Sequence, residues 1–261
     1  MIKALYTSAT GMKAHQFLLD VISNNLANVN TKGYKRVQAN FQDLLYDKFV
    51  AAGSESSQGV QSPTGLQVGS GTRVVSTSKV FTKGVPENTG RSLDMSIQGP
   101  GFFQGSHPDG STVYTRDGSF QLNSNGELVN SEGLRLDPST TIQGNVIAIN
   151  IGSDGTVSTQ SSDGSTQPVG QITLATFPNP AGLDSMGKNL YRETTASGTP
   201  QTGTPGLNGV GEIMQGFLES SNVEVVTELV NLIVAQRAYE TSSRAIRASD
   251  EMLQTTSQII R

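Results

Sequence analysis

Histidine occurs at only two positions in this chain, His15 and His107, and cysteine at none. That removes thiolate and histidine-cluster metal sites, cysteine nucleophiles and disulfides together. A serine nucleophile would have to borrow one of those two imidazoles, and no Gly-x-Ser-x-Gly elbow is present. His15 falls on an expected helix face, where packing or exposure accounts for it. Gly69-Ser70-Gly71 and Gly99-Pro100-Gly101 each begin like a dinucleotide-binding turn, but Val74 and Gln104 stand where the third glycine belongs. Paired carboxylates, the chemistry of glycoside hydrolysis, are the last option. Asp109, Asp117, Asp154 and Asp163 each precede a glycine, so a turn role explains them better. The run 123–127 has a faint likeness to a calcium loop, but its spacing does not fit the EF-hand pattern. No catalytic residue, metal or cofactor is expected, and the chain reads as a non-enzyme.

The composition points the same way. Charged residues are 15% of the chain, against roughly 25% in an average domain. Hydroxyl and amide side chains and 29 glycines take their place, a surface suited either to many neighbours or to a turn-rich β protein. A net charge of −4 gives no support for nucleic acid as a partner. The most apolar early run, residues 17–22, is interrupted by Asp20 and lacks a cleavage pattern, so no signal peptide is expected. No run approaches the ~18 apolar residues of a membrane span.

The elements are helix at both ends and strand between. Residues 2–30 hold no proline and one glycine, with Leu5, Met12, Leu19 and Leu26 recurring every seven residues. Gly33 supplies a left-handed stop. Near the other end Leu218, Val225, Leu232, Tyr239, Ile246, Leu253 and Ile260 repeat at the same spacing, and Leu229, Ile233, Ala235 and Ala238 widen the stripe. With no Gly or Pro over residues 223–260, a helix of ~57 Å is possible at 1.5 Å per residue, capped by Ser221 or Asn222. So strict a period of seven predicts coiled packing against another helix. Glutamates 212, 219, 224 and 228 fall in a stretch without Lys or Arg, whereas the first helix and its exit carry Lys3, Lys13, Lys32, Lys35 and Arg36. That asymmetry suggests pairing between oppositely charged segments. In the middle, Asp-Gly, Asn-Gly and Glu-Gly turns arrive every seven or eight residues from Asp109 to Glu132, with further Asp-Gly turns at 154 and 163, separating short alternating strands of an all-β domain over residues 94–216. Residues 51–71, rich in Gly, Ser, Gln and Thr, read by composition as a flexible linker or surface loop.

Three segments carry a family resemblance. Residues 23–36 (SNNLANVNTKGYKR) resemble the N-terminal signature of flagellar rod and hook proteins. Residues 223–254, centred on AQRAYE, are similar to that family's C-terminal helix. Residues 99–104 with 114–120 resemble its central β domain. The resemblance implies a mixed fold, with long terminal α-helices forming a coiled-coil-like polymer core around a central all-β domain. It divides the chain into an axial helix at 1–36, a connecting segment at 37–93, a β domain at 94–216 and a second axial helix at 217–261.

Residues 62–73 look like the stretch after the insertion of the distal-rod branch. The resemblance therefore assigns a stiffening segment to about residues 46–62, marked by Tyr46, Phe49, Val50 and Ser62. It implies a subunit of a rigid helical homopolymer that transmits torque from motor to hook and encloses an export channel. It also implies periplasmic assembly after export through the flagellar apparatus, beside proximal rod proteins, the hook protein and the peptidoglycan-ring and outer-membrane-ring proteins. A hook protein is the nearest alternative, then a coiled-coil stalk with a β head. Since neither terminal helix can bury its stripe alone, ordering of both ends is expected to await neighbouring subunits.

Overall fold

The computed structural model describes residues 2–53, 55–57, 60–61, 63–107, 109–142, 146–161 and 163–259. Two long helices, α1 (Ile2–Ala27) and α2 (Val225–Ile259), flank a mostly β middle. The chain divides into two compact units, each discontinuous in sequence. The first comprises residues 1–26, 37–78 and 224–261, the second residues 27–36 and 79–223. Divisions at 36, 93 and 216 would follow chain order. The observed units instead group residues 37–78 of the connecting segment with the helices, and the exit of α1, residues 79–93 and residues 217–223 with the β body.

In the first unit the connecting segment is a two-stranded ribbon. Val37–Asp43 pairs with Thr72–Lys79, Tyr46–Val50 with Leu66–Gly69, and Glu55–Ser57 with Val60–Gln61. The register runs Tyr46↔Gly69, Asp47↔Val68, Lys48↔Gln67 and Val50↔Leu66. Leu44 N to Gly71 O and Ser70 N to Leu45 O carry the ladder between the first two pairs. The linker expected from composition is therefore corrected to the two arms of a hairpin. Its backbone groups satisfy one another across the ladder, which needs no apolar side chains.

The helix start is also corrected. Leu218 lies in the strand Phe217–Glu219, paired with Pro86–Asn88 through Leu218↔Glu87, and not in the C-terminal helix. That ladder holds the backbone extended, so the heptad enters helix only at Val225. Asn222 does not cap α2 either, because its side chain is committed to other backbone groups described below.

The second unit is built around Phe102–Ser106. Along one edge this strand pairs with Thr112–Thr115, and along the other with Arg135–Asp137 and Leu174–Thr176 in succession. Adjacent residues of a strand face opposite ways, and both faces here are covered. Phe103 joins Met95, Ile97, Phe120, Leu128, Leu136, Leu174 and Ile213 in one core. Phe102 joins Tyr114, Phe177, Leu183 and Tyr191 in the other, with edge-to-face ring contacts such as Tyr114–Phe177 at 4.8 Å. A three-stranded meander, Val146–Ile151, Thr156–Ser161 and Thr166–Gln171, closes the first core through Ile151 and Val157.

The expected Asp-Gly turn at Asp117-Gly118 is not a left-handed hairpin turn. Gly118 accepts the Met95 amide, and a Cβ there would lie 1.6 Å from Met95 O. This glycine is needed for close approach of two backbones.

Candidate assembly interface

The apolar stripes proposed from spacing are only partly covered within the chain. On α1, Leu5, Met12, Leu19 and Leu26 are all half-buried, and the fully covered side is Ala14, Val21, Ile22 and Asn25. On α2 the covered residues are Glu228, Ala235 and Ser249, which also follow a period of seven. Leu232, Tyr239, Ile246 and Leu253 sit beside them, half-buried, and Val225 is exposed. Ile260 lies outside the described residues. A Cβ built on Gly11 would meet Ser242 Oγ at 3.7 Å, so the two helices touch there through small residues. Small side chains permit close approach and leave the larger ones at the margin.

What remains exposed is strongly apolar. On α2, Val226, Leu229, Val230, Ile233 and Val234 face solvent, with Val226 69% exposed. The ribbon adds Leu45, Tyr46, Phe49, Val50, Leu66 and Val68. Among the described residues, every exposed large apolar side chain lies in the first unit except Val85, Leu122, Ile147, Met186 and Leu207. Among the described residues the buried apolar side chains of that unit are only Ala14, Val21, Ile22, Ala39 and Ala235. Burying a Val, Leu or Phe side chain yields about 1.5–3 kcal/mol, so this unit leaves most of its available apolar stabilisation unused. Contiguous apolar surface of this kind marks an interaction site.

The ribbon is fastened to the start of α1. Lys3 Nζ lies 2.5 Å from Asp47 Oδ2, donates to Val68 O at 3.0 Å, and sits 5.9 Å from the centre of the Phe49 ring. Of the positions marked for stiffening, Tyr46, Phe49 and Val50 are thus exposed strand residues, Phe49 beside Lys3, and Ser62 lies outside the described residues. At the other end of α1, buried Asn25 exchanges both amide bonds with the backbone of Val37, at 2.8 and 2.9 Å. Spacing of apolar residues gave no signal for Asn25, since its partner is a main-chain group.

The motif following α1 is locked into the second unit. Gly33, at φ +69°, donates its amide to Glu219 O at 2.8 Å. Lys32 O accepts from Asn189 Nδ2 at 2.9 Å, and the Lys32 ammonium pairs with Glu87. Tyr34 is buried beside Lys79, whose Nζ lies 4.6 Å from the Tyr191 ring centre. Burial pushes the Lys79 ammonium below its ordinary pKa and the Tyr191 phenol well above its own. Lys35 meets Glu219 inside the body. Of the pairing suggested by the charge asymmetry, Lys35–Glu219 forms within one chain, outside the helices, whereas Lys32 pairs with Glu87, which is not part of the acidic stretch.

The turn aspartates serve their own backbones. Asp109 Oδ1 accepts from the Ser111 amide and hydroxyl at 2.9 and 2.6 Å and lies 2.8 Å from His107 Nδ1. These bonds, the Ser111 hydroxyl first, hold its carboxyl down to about 2. Asp154 accepts from Thr156 in the same way. Among the described residues no three His, Asp or Glu side chains gather in a metal-binding group. The chemistry these aspartates perform is turn formation.

Comparison with known proteins fits this geometry. Three family models match: a flagella basal body rod protein model at residues 5–35, the flagellar hook protein FlgE/F/G D1 domain at 96–159, and the flagellar basal body rod FlgEFG protein C-terminal model at 214–259. Their order defines a flagellar axial protein of the rod and hook class. The flagellar basal-body rod protein FlgG of Buchnera aphidicola subsp. Schizaphis graminum is 52% identical over 99% of this chain and 100% of its own length. Those of Borreliella burgdorferi and Bacillus subtilis are 45% and 40% identical, each over 97% of both chains. The chain belongs to the family of flagellar basal-body rod proteins FlgG, the structural subunits of the distal rod in the flagellar basal body.

Proposed function

We propose that copies of this chain assemble through the first unit into a rigid helical tube. The tube transmits torque from motor to hook and encloses the export channel. The observation that carries this reading is the exposed apolar face of α2, from Val226 to Val234, in a unit with almost no buried apolar core of its own. A neighbouring helix seated against Leu232, Tyr239, Ile246 and Leu253 on α2, and another against Leu5, Met12, Leu19 and Leu26 on α1, completes a coiled-coil-like axial core. Tyr46, Phe49 and Val50 contact adjacent subunits along the axis and stiffen the tube. The family supports assembly in the periplasm after export through the flagellar apparatus, with proximal rod proteins below, hook protein above and the peptidoglycan and outer-membrane rings around. The weakly charged surface suits such close neighbours.

Helical reconstruction of polymerised protein tests the proposal. It is expected to show Val226, Val230 and Ile233 covered by neighbouring copies. A polymer in which these side chains face solvent rejects it.

A further inference from the structure

Three charged side chains are buried together in the second unit, and they come from distant parts of the chain. Lys35 follows α1, Arg116 belongs to the β body, and Glu219 lies on the strand that leads toward α2. Lys35 is 0% exposed, Arg116 and Glu219 3% each. Lys35 Nζ lies 2.5 Å from Glu219 Oε1 and donates to Thr82 O at 2.8 Å. The Gly84 amide donates to the same carboxylate oxygen at 2.8 Å. Arg116 Nη1 lies 3.5 Å from Glu219 Oε2, while Nη2 donates to Gly99 O at 2.8 Å.

Two buried cations therefore share one carboxylate. Burial pushes both Lys35 and Arg116 toward their neutral forms, and Glu219 is the carboxylate that opposes the shift in each. Buried charge without a partner is strongly disfavoured, and removing one member of a buried set costs more than the pair contributes. The same strand also accepts the Gly33 amide on Glu219 O, and Asn222 accepts the Arg36 amide at 2.7 Å.

We propose that Glu219 is a latch that makes docking of the chain's two terminal connections mutually conditional. The segment Ala27–Arg36 docks on the β body only when Phe217–Glu219 is docked beside it, so both order together or not at all. A chain whose C-terminal strand has not yet arrived keeps its N-terminal connection undocked, because docking would bury Lys35 next to Arg116 with no countercharge.

Amide hydrogen exchange on the full chain tests this. In Glu219→Gln the Gly33, Arg36 and Val80 amides, which bond Glu219 O, Asn222 and Arg36 O respectively, are expected to exchange at least tenfold faster. Amides of the Phe102–Ser106 ladder should keep their protection. Adding Lys35→Met to Glu219→Gln removes one orphaned cation and should recover part of the loss. The proposal is overturned if the three amides stay within threefold of the parent in Glu219→Gln, or if Lys35→Met worsens exchange in that background. Should Glu219→Gln unfold the whole chain, replacing both Lys35 and Arg116 by Met in that background removes both orphaned cations and must refold it, and a triple variant that stays unfolded overturns the latch.

Discussion

Asn222 Oδ1 accepts the amide hydrogen of Arg36 at 2.7 Å, across 186 residues of sequence, while its Nδ2 donates to Val80 O at 2.8 Å and Thr82 O at 3.2 Å. One side chain thus ties the outgoing and returning passes of the chain to the same edge of the β body. Asn222→Ala should destabilise that body by about 2–4 kcal/mol, since each orphaned partner costs roughly 1–3 kcal/mol and water recovers some of it. Denaturant unfolding followed through the β-sheet signal measures the loss.

Gly33 carries two constraints at once, a left-handed φ of +69° and a backbone so close that a Cβ would lie 2.7 Å from Asp117 N. Gly133 has a similar φ of +79° but nothing within 4 Å of its absent Cβ. Gly133→Ala is therefore expected to cost only the conformational term, about 1–2 kcal/mol. Gly33→Ala should cost about 1–3 kcal/mol more, through the clash. Equal thermal shifts in the two variants would show that the Asp117 contact relaxes freely.

Charge on the apolar side of α2 should stop polymerisation and spare the fold. Val230→Asp and Leu232→Asp each place a carboxylate where a neighbour is expected, at a cost of several kcal/mol per subunit if buried unpaired. Sedimentation should report monomer at concentrations where the parent forms filaments, with unchanged circular dichroism of the β region.

The ribbon offers a test of stiffness. Ser70 N donates to Leu45 O at 3.2 Å, so removing residues 46–69 joins two positions that are already hydrogen-bonded neighbours. The shortened chain is expected to assemble, but into tubes that curve in electron micrographs, because the contacts of Tyr46, Phe49 and Val50 are gone. Filaments as straight as the parent would place rigidity elsewhere.

Asp109 should titrate at about 2 against an ordinary value of 3.8, read by NMR. Because its pKa is depressed in the folded state, its contribution to the loop is present above the ordinary value and lost as pH falls through about 2. Ser111→Ala removes the largest cause, the hydroxyl bond, and should raise the pKa toward 3.8. An unchanged titration would assign the shift to the Ser111 amide and His107 instead.

The elements at both ends were legible because their causes are local. Freedom from Pro and near-freedom from Gly, with apolar residues every seven positions, marks α1 and α2 wherever the chain lies. Asp-Gly and Asn-Gly pairs likewise mark the β middle. The place of Leu218, the first member of the C-terminal repeat, was not legible, because it is taken by a ladder to Glu87, 131 residues earlier in the sequence. Composition missed the short strands at 55–57, 60–61 and 66–69 for a related reason. A ribbon is held by main-chain bonds between its own arms, which side-chain type does not announce.

The chain's charge asymmetry was visible in sequence, but its use was not. Lys35 and Glu219 are 184 residues apart, and only the folded β body brings them together with Arg116 and excludes water from all three. By itself the sequence determined periodicity and turn positions, which depend on residues within a few positions of one another. Tertiary structure alone decided which stripe is covered, which apolar face is left exposed and which charges are buried. Burial and pairing are properties of distance in space, and segments remote in sequence set them.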